Sequence, residues 1–152
     1  MKKVTERNLK VDYYEKEGEP QVWIAESYLS DEQHDITLIL EIDMVQMKII
    51  DTKIKFTRFP VSYCTMIEEN AAKLNGLPID SQFIRNAMKI FMGPCGCPNI
   101  MTLLNISVPG IIYYYYPYRI KTGEFKQEQW DTIIRTELKD ACFAHVMLTK
   151  AQ

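Results

Sequence analysis

From His34 to Ile42, apolar and polar side chains alternate. Ile36, Leu38, Leu40 and Ile42 fall on one side. Thr37, Glu41 and Asp43 fall on the other, with Ile39 an apolar exception there. A repeat of two marks an extended strand with one buried face, because successive Cβ atoms point to opposite faces. Two neighbouring runs read the same way. Val22 to Tyr28 is rich in aromatic and β-branched residues and follows the turn-like Glu17-Gly18-Glu19-Pro20. In Met47 to Phe56, Ile50, Ile54 and Phe56 share a side with Thr52, while Asp51, Lys53 and Lys55 take the other. The short Asp43-Met44-Val45-Gln46 link makes a hairpin of the last two runs, and Asp31-Glu32 marks a turn before His34. The pattern predicts an antiparallel meander of three strands, with Lys10 to Glu15 as a fourth at its edge. Residues 1–10 are charged and are expected to fray.

Beyond Pro60 the repeat changes. Cys64, Ile67, Ala71 and Leu74 are spaced by three and four, one stripe of a helix that stops at Asn75-Gly76. Asp80 is placed to cap a second helix carrying Phe83, Ala87, Ile90 and Phe91, which Gly93-Pro94 breaks. Pro98 suits the first position of a third helix, which Pro109-Gly110 kinks or divides and Gly123 ends. A last helix is expected over 127–147, with Trp130, Ile133, Ile134, Leu138, Ala141 and Cys142 on its apolar side. Strands first and helices after predict an α+β fold. Its expected form is an antiparallel three- to four-stranded sheet with about four helices packed on one face, residues 1–152 making a single domain.

Composition narrows the function classes. Of the 152 residues, 47% are hydrophobic and 25% charged, which is the balance of a packed chain rather than a disordered one. The net charge of −2 offers no dominant positive field to gather phosphates, so nucleic acid is not an expected partner. No apolar run follows Met1-Lys2-Lys3 as a signal peptide requires. The greasiest stretch, near Ile100 to Tyr118, is interrupted by Asn105, Ser107, Pro109 and Gly110, so no membrane span is expected. The expected compartment is the cytoplasm. There the four cysteines stand as reduced thiols or metal ligands rather than as disulfides.

The stretch that carries most chemistry is Gly93-Pro94-Cys95-Gly96-Cys97-Pro98. Two thiols flank a glycine in a turn ahead of a helix. With Pro98 as the first helical residue, Cys97 is the N-cap, where the helix dipole favours a thiolate. The plain alternative is a turn with two small buried cysteines. Cys64 stands in the first turn of its own helix, so the two helix starts could face each other over one end of the sheet; its stripe position suits core packing equally. His34-Asp35 opens a strand with two metal-ligating side chains, or is simply a polar junction. Cys142 and His145 stand three apart on the last helix, with core packing as the plainer reading. The aromatic run Tyr113 to Tyr116, with Tyr118, lines a pocket or interface, or is packing. The chain lacks a phosphate-binding glycine loop, a Gly-x-Ser-x-Gly elbow and a His-Glu-x-x-His motif.

Four short elements recur in order: Leu29-Ser30-Asp31, Pro60 to Cys64, Leu74-Asn75-Gly76, and Gly93 to Leu104 through Gly96-Cys97. Together they resemble the signature of an uncharacterised bacterial family of small proteins, over roughly residues 20–108. Asn99 stands where that family places a histidine. The order of strands, hairpin and cysteine-bearing helices is also similar to the iron–sulfur cluster assembly scaffold family. That resemblance implies cysteines and an aspartate gathered at one end of a small sheet. Asp35 would be the aspartate, Cys64 the middle cysteine and Cys95 or Cys97 the last, with His34 near the missing first cysteine.

Three functions remain open from the sequence. The first is a metal or iron–sulfur protein using Cys64, Cys95 and Cys97 with Asp35 or His34, holding an iron–sulfur cluster or zinc, serving a protein partner rather than catalysing a reaction, and open to oligomerisation. The second is a metal-free ligand-binding or protein-interaction module built on Tyr113 to Tyr118. The third is a thiol redox protein using Cys95 and Cys97.

Overall fold

The computed structural model describes residues 1–150. The chain falls into two compact units, Met1–Pro109 and Gly110–Gln152. The first holds a four-stranded antiparallel sheet in the order β1-β2-β3-β4, made of β1 (Arg7–Lys16), β2 (Glu19–Asp31), β3 (Asp35–Asp43) and β4 (Lys48–Arg58). This is the expected meander, and with the helices that follow it makes an α+β fold.

Burial follows the two-residue repeat. Trp23, Ala25, Ser27 and Leu29 of β2 are buried, as are Ile36, Leu38, Leu40 and Ile42 of β3. On β4 the buried set is Ile49, Thr52, Ile54 and Phe56. The alternation in the sequence places Ile50 on that face. A register shift pairs Glu41 with Asp51 but Ile42 with Ile49, so Ile50 is the extra residue of a bulge and is 43% exposed. The ends of β1 also differ from expectation. Residues 7–10, expected to fray, pair with Asp31, Ser30, Leu29 and Tyr28. The reason is the length of β2, which runs three residues beyond Tyr28 and supplies a template up to Arg7. The β3–β4 turn is held by Asp43, whose Oδ1 accepts from the amides of Val45 and Gln46 at 2.9 Å each.

The helix expected from Cys64 onward is a 3-10 run, Ser62–Leu74. It buries only Ala71 and Leu74, so it lacks the full stripe that would hold an α-helix to the sheet. Glu68 Oε1 accepts from the Phe56 amide at 2.9 Å and ties the run to β4. Gly76, at φ 85, ends the segment as the sequence predicts. Next comes α1 (Phe83–Phe91), which buries Phe83, Ala87 and Phe91 at a spacing of four. Asp80 sits two residues too early to be its N-cap, which is Gln82. Its carboxylate accepts from the Gln82 amide at 2.8 Å and its carbonyl from Phe83 at 3.1 Å.

After a short turn at Gly93–Cys95, α2 (Pro98–Lys121) begins at Pro98, as expected, and is not divided at Pro109-Gly110. Ile100, Met101, Leu103, Leu104 and Val108 are buried and complete the first unit's core with α1 and the sheet. The Tyr13 hydroxyl donates to the Ser107 carbonyl at 2.6 Å and pins α2 to β1.

The second unit contains the rest of α2, α3 (Gln127–Thr136) and α4 (Phe143–Lys150). The single helix expected over 127–147 is broken between α3 and α4. The amides of Glu137 and Leu138 both donate to the Ile133 carbonyl, at 2.9 and 3.0 Å, which closes the end of α3. Tyr116 stacks on Trp130 with ring centroids 5.1 Å apart and lies 5.4 Å from Phe125. The tyrosines are therefore partly absorbed in packing within this unit. Among the described residues no helix is long and apolar enough to cross a membrane.

Candidate thiol and histidine site

A surface hollow of about 530 Å³ opens at one end of the sheet, within the first unit. Its lining includes Cys64 and Asn70 from the 3-10 run, Cys95 and Cys97 from the turn ahead of α2, Asn99 from the start of α2, and His34 from the β2–β3 turn. The chain thus brings together four of the five residues singled out as metal ligands. The fifth, Asp35, is paired with Ser30 and Arg58, shares parity with Thr37 and Glu41, and does not line the hollow. Cys95 is exposed, whereas Cys64 and Cys97 are half-buried, and all four cysteines of the chain are free thiols.

Each thiol owes its place to local backbone rules. The Cys64 amide donates to the Val61 carbonyl at 3.0 Å, fixing the first 3-10 turn. The Gly96 amide donates to Gly93 at 3.1 Å and closes the Cys95 turn. Gly93 has φ 78, a conformation that favours glycine. Gly96 is required for a different reason: a Cβ there would meet the Phe91 carbonyl carbon and oxygen at 2.1 Å. The Cys97 carbonyl accepts from Ile100 at 3.1 Å and Met101 at 3.3 Å, so Cys97 is the N-cap of α2 as the sequence predicts. Asn70 Nδ2 donates to the Cys95 carbonyl at 3.3 Å and ties the two thiol-bearing segments together.

His34 is held by Asp31. Asp31 Oδ1 accepts from the amides of Gln33 and His34 at 2.9 and 2.7 Å and contacts His34 Nδ1 at 3.1 Å. Its Oδ2 accepts from Arg7 Nε at 2.8 Å and faces Nη2 at 2.6 Å. The Asp31 side chain is 10% exposed. Burial works against its ionised form, but the Gln33 and His34 amides, the His34 ring and Arg7 outweigh it and hold the carboxyl well below the usual range. An ionised carboxylate only accepts, so Nδ1 of His34 donates, and Nε2 is the nitrogen left for a ligand.

Two arginines complete the frame. Arg7 Nη1 donates to Asn99 Oδ1 at 3.1 Å, joining β1 to the start of α2. Arg58 Nη2 donates to the Asp31 carbonyl at 2.7 Å and to the His34 carbonyl at 3.3 Å. In the sequence Asp31 reads as a turn residue, and no motif marks Arg7 or Arg58. The one available signal was Leu29-Ser30-Asp31, where the aspartate belongs to a recurring element.

The other candidate pair does not assemble. Cys142 is exposed in the break before α4, and His145 is buried with Nδ1 2.9 Å from the Leu138 carbonyl. Around the hollow the donors share a lining without being drawn to one point. Among the described residues no three or more His, Cys, Asp and Glu side chains form a group that could hold an ion as they stand.

No curated protein and no solved structure matches the chain. A family of proteins of unknown function matches residues 5–111, which span the whole sheet, the hollow and the start of α2. With well over half of its length matched, the chain belongs to that family, DUF2889.

Proposed function

We propose that the hollow is a thiolate site for a soft metal, with Cys64, Cys95, Cys97 and His34 as ligands. Its occupant would be a zinc ion or a small iron–sulfur cluster, and the chain would act as a carrier rather than an enzyme. One observation carries this reading: three thiols and an imidazole, from three separate segments, line the same hollow. Thiolate and imidazole are the donor types that zinc and iron–sulfur centres take.

The surroundings suit that role. A metal-bound histidine is normally oriented by a carboxylate on its other nitrogen, and Asp31 already holds Nδ1 of His34. Cys95 and Cys97 ride on a turn made of glycine and proline, tethered by only a few hydrogen bonds. The donor types fit the metal, and their convergence would come with binding, as coordination energy commonly draws ligands together. Asp35 is not part of this ligand set.

The test is metal analysis with an absorption spectrum on protein purified without oxygen or chelator. The reading expects stoichiometric zinc, or iron with sulfide, that is lost when Cys97 becomes serine and kept when Cys142 does. Metal-free protein that takes up neither zinc nor iron and sulfide would refute it. A reversible Cys95–Cys97 disulfide in that protein would favour thiol exchange instead.

A further inference from the structure

We infer, resting on the metal reading above, that Arg7 is the positioning residue of the hollow: its guanidinium links the histidine side to the start of α2 and sets the spacing between His34 and Cys97.

The proposed ligands come from three segments distant in sequence. His34 stands in the β2–β3 turn, Cys64 on the 3-10 run, and Cys95 and Cys97 ahead of α2. No disulfide joins them, since all the thiols are free. Ligands on separate segments lose freedom when an ion draws them together, and any contact that fixes their spacing beforehand reduces that loss.

Arg7 makes such a contact. It opens β1, where it pairs with Asp31 of β2. A guanidinium is flat and holds five N–H donors in fixed directions, so one side chain serves two partners at once. Nε and Nη2 face Asp31 Oδ2 at 2.8 and 2.6 Å. Nη1 donates to Asn99 Oδ1, 92 residues along the chain, at 3.1 Å. On the first side, Asp31 Oδ1 contacts His34 Nδ1 at 3.1 Å and accepts from the His34 amide at 2.7 Å. On the second side, Asn99 stands two residues past Cys97 in the first turn of α2. That turn is closed by the amides of Ile100 and Met101, which donate to the Cys97 carbonyl. The contacts therefore run from the imidazole through Asp31, Arg7 and Asn99 to the helix start that bears the thiol. All of these residues lie in the first unit.

The strength of the link is uneven. The Asp31 side chain is 10% exposed, and a charge-assisted pair with a nearly buried carboxylate seats the guanidinium firmly. Arg7 then meets Asn99 with a group whose rotamer is already fixed, so the second contact orders little more. Cys95 is held less tightly. It is exposed, and Asn70 Nδ2 donates to its carbonyl at 3.3 Å. His34 and Cys97 thus make the fixed pair of the site, and Cys95 is the ligand that moves in on the ion.

Cobalt(II) titration of the reduced, metal-free full chain tests this, with a competing chelator to read affinity. Asn99→Ala cuts the link but leaves Arg7, Asp31 and His34 paired. It should weaken cobalt binding about tenfold, as loss of a group that orients ligands commonly does. The spectrum at saturation should stay as in the wild type, because the ligands are the same. Arg7→Lys keeps the charge without the fork and should behave alike. In a His34→Ala background neither change should weaken binding much further, since no imidazole is left to position. Circular dichroism confirms that each variant is folded. A wild type that binds no cobalt through its cysteines would overturn this proposal together with the metal reading. With cysteine-dependent binding in the wild type, three results would overturn it alone: undiminished affinity in both variants, an equal loss in the His34→Ala background, or an altered spectrum at saturation.

Discussion

Nδ1 of His34 lies 3.1 Å from a carboxylate oxygen of Asp31, and the same carboxylate accepts from Arg7 at 2.8 Å. Asp31 therefore sets the tautomer of the one imidazole in the hollow while binding β1 to the β2–β3 turn. Replacing it with asparagine removes the charge and keeps the shape. Its carboxyl is held low by the donors around it, so its contribution is complete above the ordinary carboxylate value of about 4 and is lost as pH falls below that. Asp31→Asn should lower the melting temperature by several degrees at neutral pH. The gap to wild type should close in acid, as wild-type Asp31 takes up its proton. Melting curves across pH check this, and a gap that widens in acid would contradict it.

A second prediction concerns the thiol turn. The Cβ of an alanine at position 96 would lie 2.1 Å from the Phe91 carbonyl, in backbone rather than flexible side chain. Gly96→Ala should cost about 3 kcal/mol, at the upper end of overpacking effects, and displace Cys95 and Cys97. Gly18→Ala is the control. Nothing lies within 4 Å of that added carbon, so only its positive φ should tell, about 1 kcal/mol. Denaturant titration of both variants measures the difference.

Thr52 offers a change in the other direction. It is 6% exposed in the core face of β4, and its hydroxyl has no hydrogen-bond partner among the described residues. Thr52→Val keeps the shape and removes the unmet polar group. It should stabilise the fold by about 1 kcal/mol, measured by denaturant unfolding.

Tyr28 reports on the half-exposed face of the sheet. Its hydroxyl donates to Glu26 at 2.5 Å, and that hydrogen bond, with burial and the carboxylate charge behind it, pushes the phenol up to about 12. Ultraviolet titration should show a tyrosine ionising near that value. It should disappear in Tyr28→Phe and fall toward the ordinary value in Glu26→Gln.

The local parts of this fold are legible in the sequence. Ile36 to Ile42 alternate because β3 is buried on one face, Pro98 starts α2, and Asn75-Gly76 ends a segment at the only backbone geometry that favours glycine there. The hollow follows from these parts, since two cysteine-bearing segments and the His34 turn end on the same side of the sheet. What the sequence hides is non-local. The Ile50 bulge depends on pairing with Ile42, the 3-10 geometry of 62–74 on how little of it is buried, and the role of Asp31 on an arginine 24 residues away. The first two leave no period or motif in the chain, and Leu29-Ser30-Asp31 marks the third without pointing to its arginine.

Cobalt(II) titration of the reduced, metal-free protein, watching the thiolate-to-cobalt charge-transfer band and the visible ligand-field bands, tests the central claim most directly. The account predicts saturation at one ion per chain with the spectrum of a tetrahedral, thiolate-rich site. Serine at Cys64, Cys95 or Cys97 should weaken binding by about tenfold or more, and serine at Cys142 should leave it unchanged. No charge-transfer band, or one indifferent to Cys64, Cys95 and Cys97, would contradict it.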